Sequence, residues 1–157
     1  MSTKLTKISP AAGYDLVDSH ALALTQATEK FRERILAWLL LRLREDGFDG
    51  IKASQLSFLG SLDCGVNFAA ELARGLGISR QAVHKTVREL EGEGWLATRP
   101  HEELGNKRVI VFTQEGERMM SCARTHFLTL DTLLEQKFGD ERLAEFHDFL
   151  DFDPLAF

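Results

Sequence analysis

Residues 68–100 read FAAELARGLGISRQAVHKTVRELEGEGWLATRP, and this stretch decides the fold. Apolar spacing predicts one helix over about 68–76 and a second, capped by Ser79, running to about Glu93. Between them Gly77 fits the left-handed conformation that a tight turn needs. Ala73, Gly77 and Val83 stand four and then six residues apart. Ala73 is small where two helices cross, and Val83 packs back on the first helix with Val87 and Leu90. That pattern is a helix-turn-helix over residues 69–90. It leaves Arg80, Gln81, His84, Lys85 and Arg88 on the open face of the second helix. Arg and Gln side chains read guanine and adenine edges, while Lys suits phosphate. In such a motif the second helix enters the major groove with its N-terminal residues nearest the bases. Ser79 adds a hydroxyl and helix-start amides for a phosphate. The bland reading of the same residues is two surface helices with a solvated basic face, and the residues that follow distinguish the two.

Directly after the second helix the period changes. Trp95–Arg99 and Arg108–Phe112 are short runs of β character joined by a long loop over 100–107. A helix-turn-helix followed by a two-stranded wing is the winged-helix arrangement. Further out, Thr113 caps a long helix with Glu115 and Glu117 in its first turn, where negative charge suits the helix dipole. Gly139-Asp140 breaks that helix, and a last one runs from Glu141 to about Leu150. Upstream, Leu16, Val17, Leu24, Phe31, Ile35, Trp38 and Leu39 recur at helical spacing and predict a helix over 14–45. Beyond Ile35 every face is apolar, so the helix must be enclosed. At roughly 48 Å it outruns a globule of this size. A second subunit supplies the missing cover. A Gly-Phe-Asp-Gly turn at 47–50 ends this helix, Ser54 is expected to cap a shorter one through Leu62, and 64–67 is expected to be a loop.

The sequence therefore reads as mainly α with a small β-wing (α+β). Residues 1–13 form a flexible N-terminal arm and 14–50 a dimerisation helix and turn. Residues 51–113 form the winged helix-turn-helix lobe, and 114–157 the C-terminal dimerisation helices. The last 20 residues hold Phe138, Phe146, Phe149, Phe152 and Phe157, five of the 11 Phe in the chain. Phe152 and Phe157 lie past the last helix, where a monomer would struggle to bury them. An exposed apolar cluster of that kind marks an interface, here with the long first helix of a second copy.

The stretch quoted above, together with VIVFTQEGERM at 109–119, resembles the MarR family of transcriptional regulators. The most specific parts are Glu71-Leu72-Ala73, Leu76-Gly77-Ile78-Ser79, the Glu-Gly-Trp turn at 93–95, and Thr113 with Gly116. The resemblance covers nearly the whole chain, including Gln55-Leu56 on a short helix. It implies a homodimer held by N- and C-terminal helices, binding a pseudo-palindromic operator in double-stranded DNA. Many members release DNA when a small, often aromatic, effector binds between the two lobes. No cofactor is implied. One departure stands out. The family wing commonly carries Asp-x-Arg, whose Arg reaches into the minor groove, whereas the matching places here hold Leu104 and Asn106. Asn106, Lys107 and Arg108 are the wing's candidates for DNA, with Lys107 or Arg108 reaching phosphate.

Charge raises an objection. The chain of 157 residues has Lys+Arg 19 against Asp+Glu 24, a net charge of −5, where nucleic-acid-binding domains are usually basic. The imbalance is local: residues 109–157 carry 4 basic and 10 acidic side chains, whereas 74–88 carry four basic and no acidic ones. Counterion release depends on charges that reach phosphate, not on the total. Cys122 and His126 stand four apart on a helix, but two ligands make no metal site. Cys64 and Cys122 are too few for a disulfide framework and fit a reducing cytoplasm. No cation adjoins Cys64 in sequence to lower its thiol pKa for redox sensing. No nucleophile elbow, phosphate-cradling loop or zincin motif is present, so an enzyme is not expected. The apolar run 35–41 is far short of the roughly 20 residues that span a bilayer. The expected function is a sequence-specific regulator, a repressor in the first instance. A winged helix used for protein–protein contact and a cysteine-based redox regulator are the alternatives.

Overall fold

The computed structural model describes residues 19–101, 105 and 107–156. The predicted arm over 1–13, together with Leu16, Val17, Leu104, Asn106 and Phe157, lies outside the described residues. The chain divides between Trp38 and Leu39 into two units.

In the first unit the described chain is the N-terminal part of α1 (His20–Glu45). Ser19 Oγ accepts from the Leu22 amide at 3.3 Å at its start. The Arg32 guanidinium hydrogen-bonds Glu29 at 2.7 Å and holds that carboxyl below the usual carboxylate range. Leu22, Leu24 and Phe31 stand exposed along this helix.

The second unit begins with the last turns of α1 and continues through α2 (Ala53–Leu59), α3 (Ala69–Gly75), α4 (Arg80–Gly92), β1 (Leu96–Pro100), β2 (Arg108–Phe112), α5 (Gln114–Phe138) and α6 (Asp140–Leu150). A short 3-10 turn follows at Pro154–Ala156. Its described residues form a mainly helical winged-helix fold with a small antiparallel sheet, as the residue pattern implied. Leu39, Leu43, Phe48, Leu59, Val83, Leu90 and Met119 are its most completely buried side chains. They come from α1, the turn after it, α2, α4 and α5, so the core sits behind the helix-turn-helix and holds it rigid. The strands pair from Leu96↔Phe112 to Pro100↔Arg108. Pro100, placed in the loop by the sequence reading, is therefore a strand residue. Having no N–H, proline is tolerated on an edge strand such as β1.

Two further expectations are corrected. Ser54 does not cap α2: the N-cap is Lys52, whose amide donates to Gln55 Oε1 at 2.9 Å. The buried Gln55 then donates through Nε2 to both Glu93 oxygens, at 2.9 and 3.0 Å. Residues 64–67 are not wholly a loop either. Asn67 bridges Ile110 by two backbone hydrogen bonds of 3.1 and 2.9 Å, adding one rung to the sheet beyond β2. Its side chain, 4% exposed, accepts from the Asp63 amide at 2.9 Å and donates to Asp63 O at 3.0 Å. A buried amide satisfied on both sides fixes the α2–α3 connection to the wing.

The start of α5 is equally constrained. Thr113 Oγ1 accepts from the Gly116 amide at 3.0 Å and donates to Gly94 O at 2.6 Å. One hydroxyl thus caps the helix and ties it to the turn after α4. In the same turn the Arg118 guanidinium hydrogen-bonds Glu115 at 2.6 Å and holds its carboxyl below the usual range. Arg118 also lies 4.7 Å from the centroid of the Phe48 ring. Farther along, His126 Nε2 meets Asp46 Oδ2 at 2.7 Å, fastening α5 to the end of α1.

Candidate nucleic-acid interface

The turn between α3 and α4 has the geometry its residues demand. Gly77 sits at φ +64°, and the Ile78 amide donates to Ala73 O at 3.0 Å. Ser79 is extended at φ −71° and ψ 151°, and its Oγ accepts from the Ala82 amide at 3.1 Å. The hydroxyl oxygen is thus engaged within the cap. The amides of Arg80 and Gln81, ahead of the first intrahelical hydrogen bond, have no acceptor within the helix.

Along α4 the side chains divide by face. Val83 and Leu90 are 0% exposed and Val87 is buried beside them, whereas Ser79, Arg80, Gln81, His84, Lys85 and Arg88 are all exposed. With 3.6 residues per turn, positions 80, 81, 84, 85 and 88 share one stripe. The stripe carries three cations and an amide. Arg88 Nε donates to His84 O at 3.3 Å, which draws its guanidinium along the helix.

The wing borders this stripe. His84, Arg88, Glu91, Thr98 and Arg108 are among the residues lining a cleft between α4 and the hairpin. Arg108 is exposed, with Nη2 3.5 Å from Thr98 O. Lys107 is exposed as well, with Nζ 5.8 Å from the centroid of the Phe68 ring. The structure thus brings the α4 residues onto one face with Arg108 beside them, while Asn106 falls outside the described residues.

Residues 46–104 match the model of the MarR family. The matched segment holds α2, α3, α4, β1 and the exposed basic stripe. Solved MarR structures share the fold over most of the chain. MarR from E. coli in its apo form is 20% identical with a TM-score of 0.60, over 82% of this chain and 92% of that one. A mutant E. coli MarR complexed with operator DNA is 19% identical, TM-score 0.63, covering 82% and 89%. FabT from Streptococcus pneumoniae in complex with DNA is 12% identical, TM-score 0.69, covering 82% and 90%. No curated protein matches the chain.

Other candidate residues are placed as follows. Leu24, Phe146, Phe149 and Phe152 are all exposed in the single chain, and Leu155 is 90% exposed. No residue of α6 is buried. Cys122 is half-buried, and His126, four residues on, is paired with Asp46. Among the described residues no cluster of three or more His, Cys, Asp or Glu is placed to hold a metal ion. Sequence adjacency missed one cation: Arg124 Nη1 lies 3.7 Å from the Sγ of the exposed Cys64. Among the described residues no helix is long and apolar enough to cross a membrane.

Proposed function

We propose that this chain is a homodimeric, sequence-specific DNA-binding regulator of the MarR type, acting as a repressor in the cytoplasm rather than as an enzyme. The observation that carries the reading is the stripe of Arg80, Gln81, His84, Lys85 and Arg88, exposed on a helix whose other face is fully packed. A charged stripe held on a rigid helix can enter a major groove without reorganising. Arg80 and Gln81, in the first turn, are the base readers. Lys85, Lys107 and Arg108 serve phosphate, and the first-turn amides beside Ser79 add neutral donors.

Dimerisation is supported by apolar side chains left uncovered in one chain. Phe138, Phe146, Phe149, Leu150 and Phe152 form such a group near the C-terminus, and Leu22, Leu24 and Phe31 another along α1. Burying them against a second copy removes that surface from water, at about 25 cal/mol per Å². Light scattering on the chain in solution is expected to return twice the chain mass of 17.7 kDa. A value of one chain mass over the micromolar range overturns the dimer.

The resemblance also supports a small aromatic effector that releases DNA, with no residue assigned to its site. The DNA reading itself is tested with Lys85→Ala in duplex titrations at several salt concentrations. Loss of one phosphate contact lowers affinity for specific and unrelated duplexes alike and reduces the salt slope by about 1. An affinity that does not vary with salt in the unsubstituted protein contradicts the assignment.

A further inference from the structure

Phe68 occupies an unexpected place. It is the N-cap of α3, at φ −107° and ψ 132°, and makes no side-chain capping hydrogen bond. Ser, Thr, Asp and Asn dominate that position because their oxygens satisfy an orphan amide. What Phe68 does instead is visible across the sheet. Its ring stacks on His101 with centroids 5.8 Å apart and planes inclined by 14°. The Lys107 ammonium lies 5.8 Å from the same centroid. His101 and Lys107 are themselves joined, the His101 amide donating to Lys107 O at 2.8 Å one rung beyond Pro100↔Arg108. Immediately before Phe68, Asn67 is bonded to Ile110 through both backbone groups.

We infer that Phe68 is a positioning residue of the DNA-binding surface: its ring holds Lys107, through the His101 stack, where the wing meets a backbone phosphate of the DNA. The inference rests on the DNA-binding reading above. Asn67 pins the backbone of Phe68 to β2, so the ring is carried on a fixed base. A ring face attracts an ammonium without consuming any of its three N–H donors. The lysine is thereby ordered before DNA arrives and loses less side-chain freedom on contact. The first helix of the helix-turn-helix and the wing then move as one body, which fixes the phosphate contact of Lys107 relative to the major-groove face of α4.

The test uses Phe68→Thr, which supplies the missing cap oxygen, and Phe68→Tyr, which keeps the ring. Each is titrated with an operator duplex at several salt concentrations, alone and combined with Lys107→Ala. Phe68→Thr is expected to weaken binding roughly 3- to 10-fold and to reduce the salt slope by about 0.9, the value of one phosphate contact on duplex DNA. Phe68→Tyr restores both. In the Lys107→Ala background, Phe68→Thr is expected to cost nothing more. A proton NMR spectrum provides a readout independent of DNA: the upfield ring-current shift of the Lys107 ε-methylene protons disappears in Phe68→Thr. Wild-type affinity and slope in Phe68→Thr overturn the proposal, as does an equal loss with Lys107 already removed, which marks a purely structural role. Absence of any duplex binding by the unsubstituted protein instead overturns the DNA reading and takes the proposal with it.

Discussion

Gly116→Ala is expected to destabilise the fold by about 3 kcal/mol or more, at or beyond the upper end for overpacking a rigid site. A Cβ on Gly116 would collide with Trp95 O and stand 3.1 Å from Trp95 C and 3.2 Å from Phe112 Cδ1. The oxygen it meets belongs to backbone and cannot swing aside. Trp95 O accepts from the Thr113 amide at 3.1 Å, and the Trp95 amide donates to Leu90 O at 2.9 Å. The Thr113 hydroxyl grips Gly94 O, Gly94 itself lying at φ +84°. Relief therefore requires α5 to withdraw from the turn after α4, breaking the cap as it goes. The sign is notable because a helix-interior Gly→Ala change normally gains about 1 kcal/mol. Gly75→Ala, in α3 with nothing within 4 Å of its added Cβ, is the matched control and is expected to be neutral or mildly stabilising. Denaturant midpoints of the two variants check the claim. A Gly116→Ala protein as stable as the wild type would show that the helix start yields more readily than its hydrogen bonds indicate.

Arg80→Ala is expected to cost about 1–3 kcal/mol of operator affinity, roughly 5- to 150-fold, and to relax base preference at one position of each half-site. Arg80 is the first residue of α4, exposed, at the end of the helix nearest the bases in this docking mode. A bidentate guanidinium–guanine contact discriminates among bases, whereas a phosphate contact does not. Arg80→Ala should therefore hurt the operator far more than an unrelated duplex, opposite in pattern to Lys85→Ala. Asn106→Ala is the comparison within the wing, and its loss is expected to be smaller. Equal losses from Asn106→Ala and Arg80→Ala would contradict the assignment of base reading to the recognition helix.

The parts of this fold that were legible in the sequence are those fixed by local chemistry. Val83, Val87 and Leu90 repeat at helical spacing, which by itself separates the packed face of α4 from its polar stripe. Gly77 stood where only a positive φ closes the turn, and Ser79 and Thr113 cap the helices that follow them. The less legible parts depend on partners distant in sequence. The Glu93 carboxylate satisfying Gln55 lies 38 residues away, and the Ile110 carbonyl bonded to Asn67 lies 43 away. No periodicity marks such pairs. The Ser54 hydroxyl suits a cap, but Gln55 reaches back to the Lys52 amide and places the cap two residues earlier. Thr113 and Gly116 could be picked out by resemblance, while the reason for the glycine, a carbonyl from the preceding turn, needed the structure. Phe68 looked like the start of an ordinary helix, since the ring it stacks on, His101, is brought over it only by the hairpin.

Selection from a random pool of duplexes tests the central claim most directly. The account predicts enrichment of one inverted repeat whose half-site centres lie about 10 bp apart, one turn of B-DNA, because two recognition helices of a dimer meet successive major grooves. Substituting Arg80 should blur that motif at one position per half-site. A pool that shows no enriched motif after repeated rounds, or a single half-site without symmetry, would contradict a dimeric, sequence-reading protein.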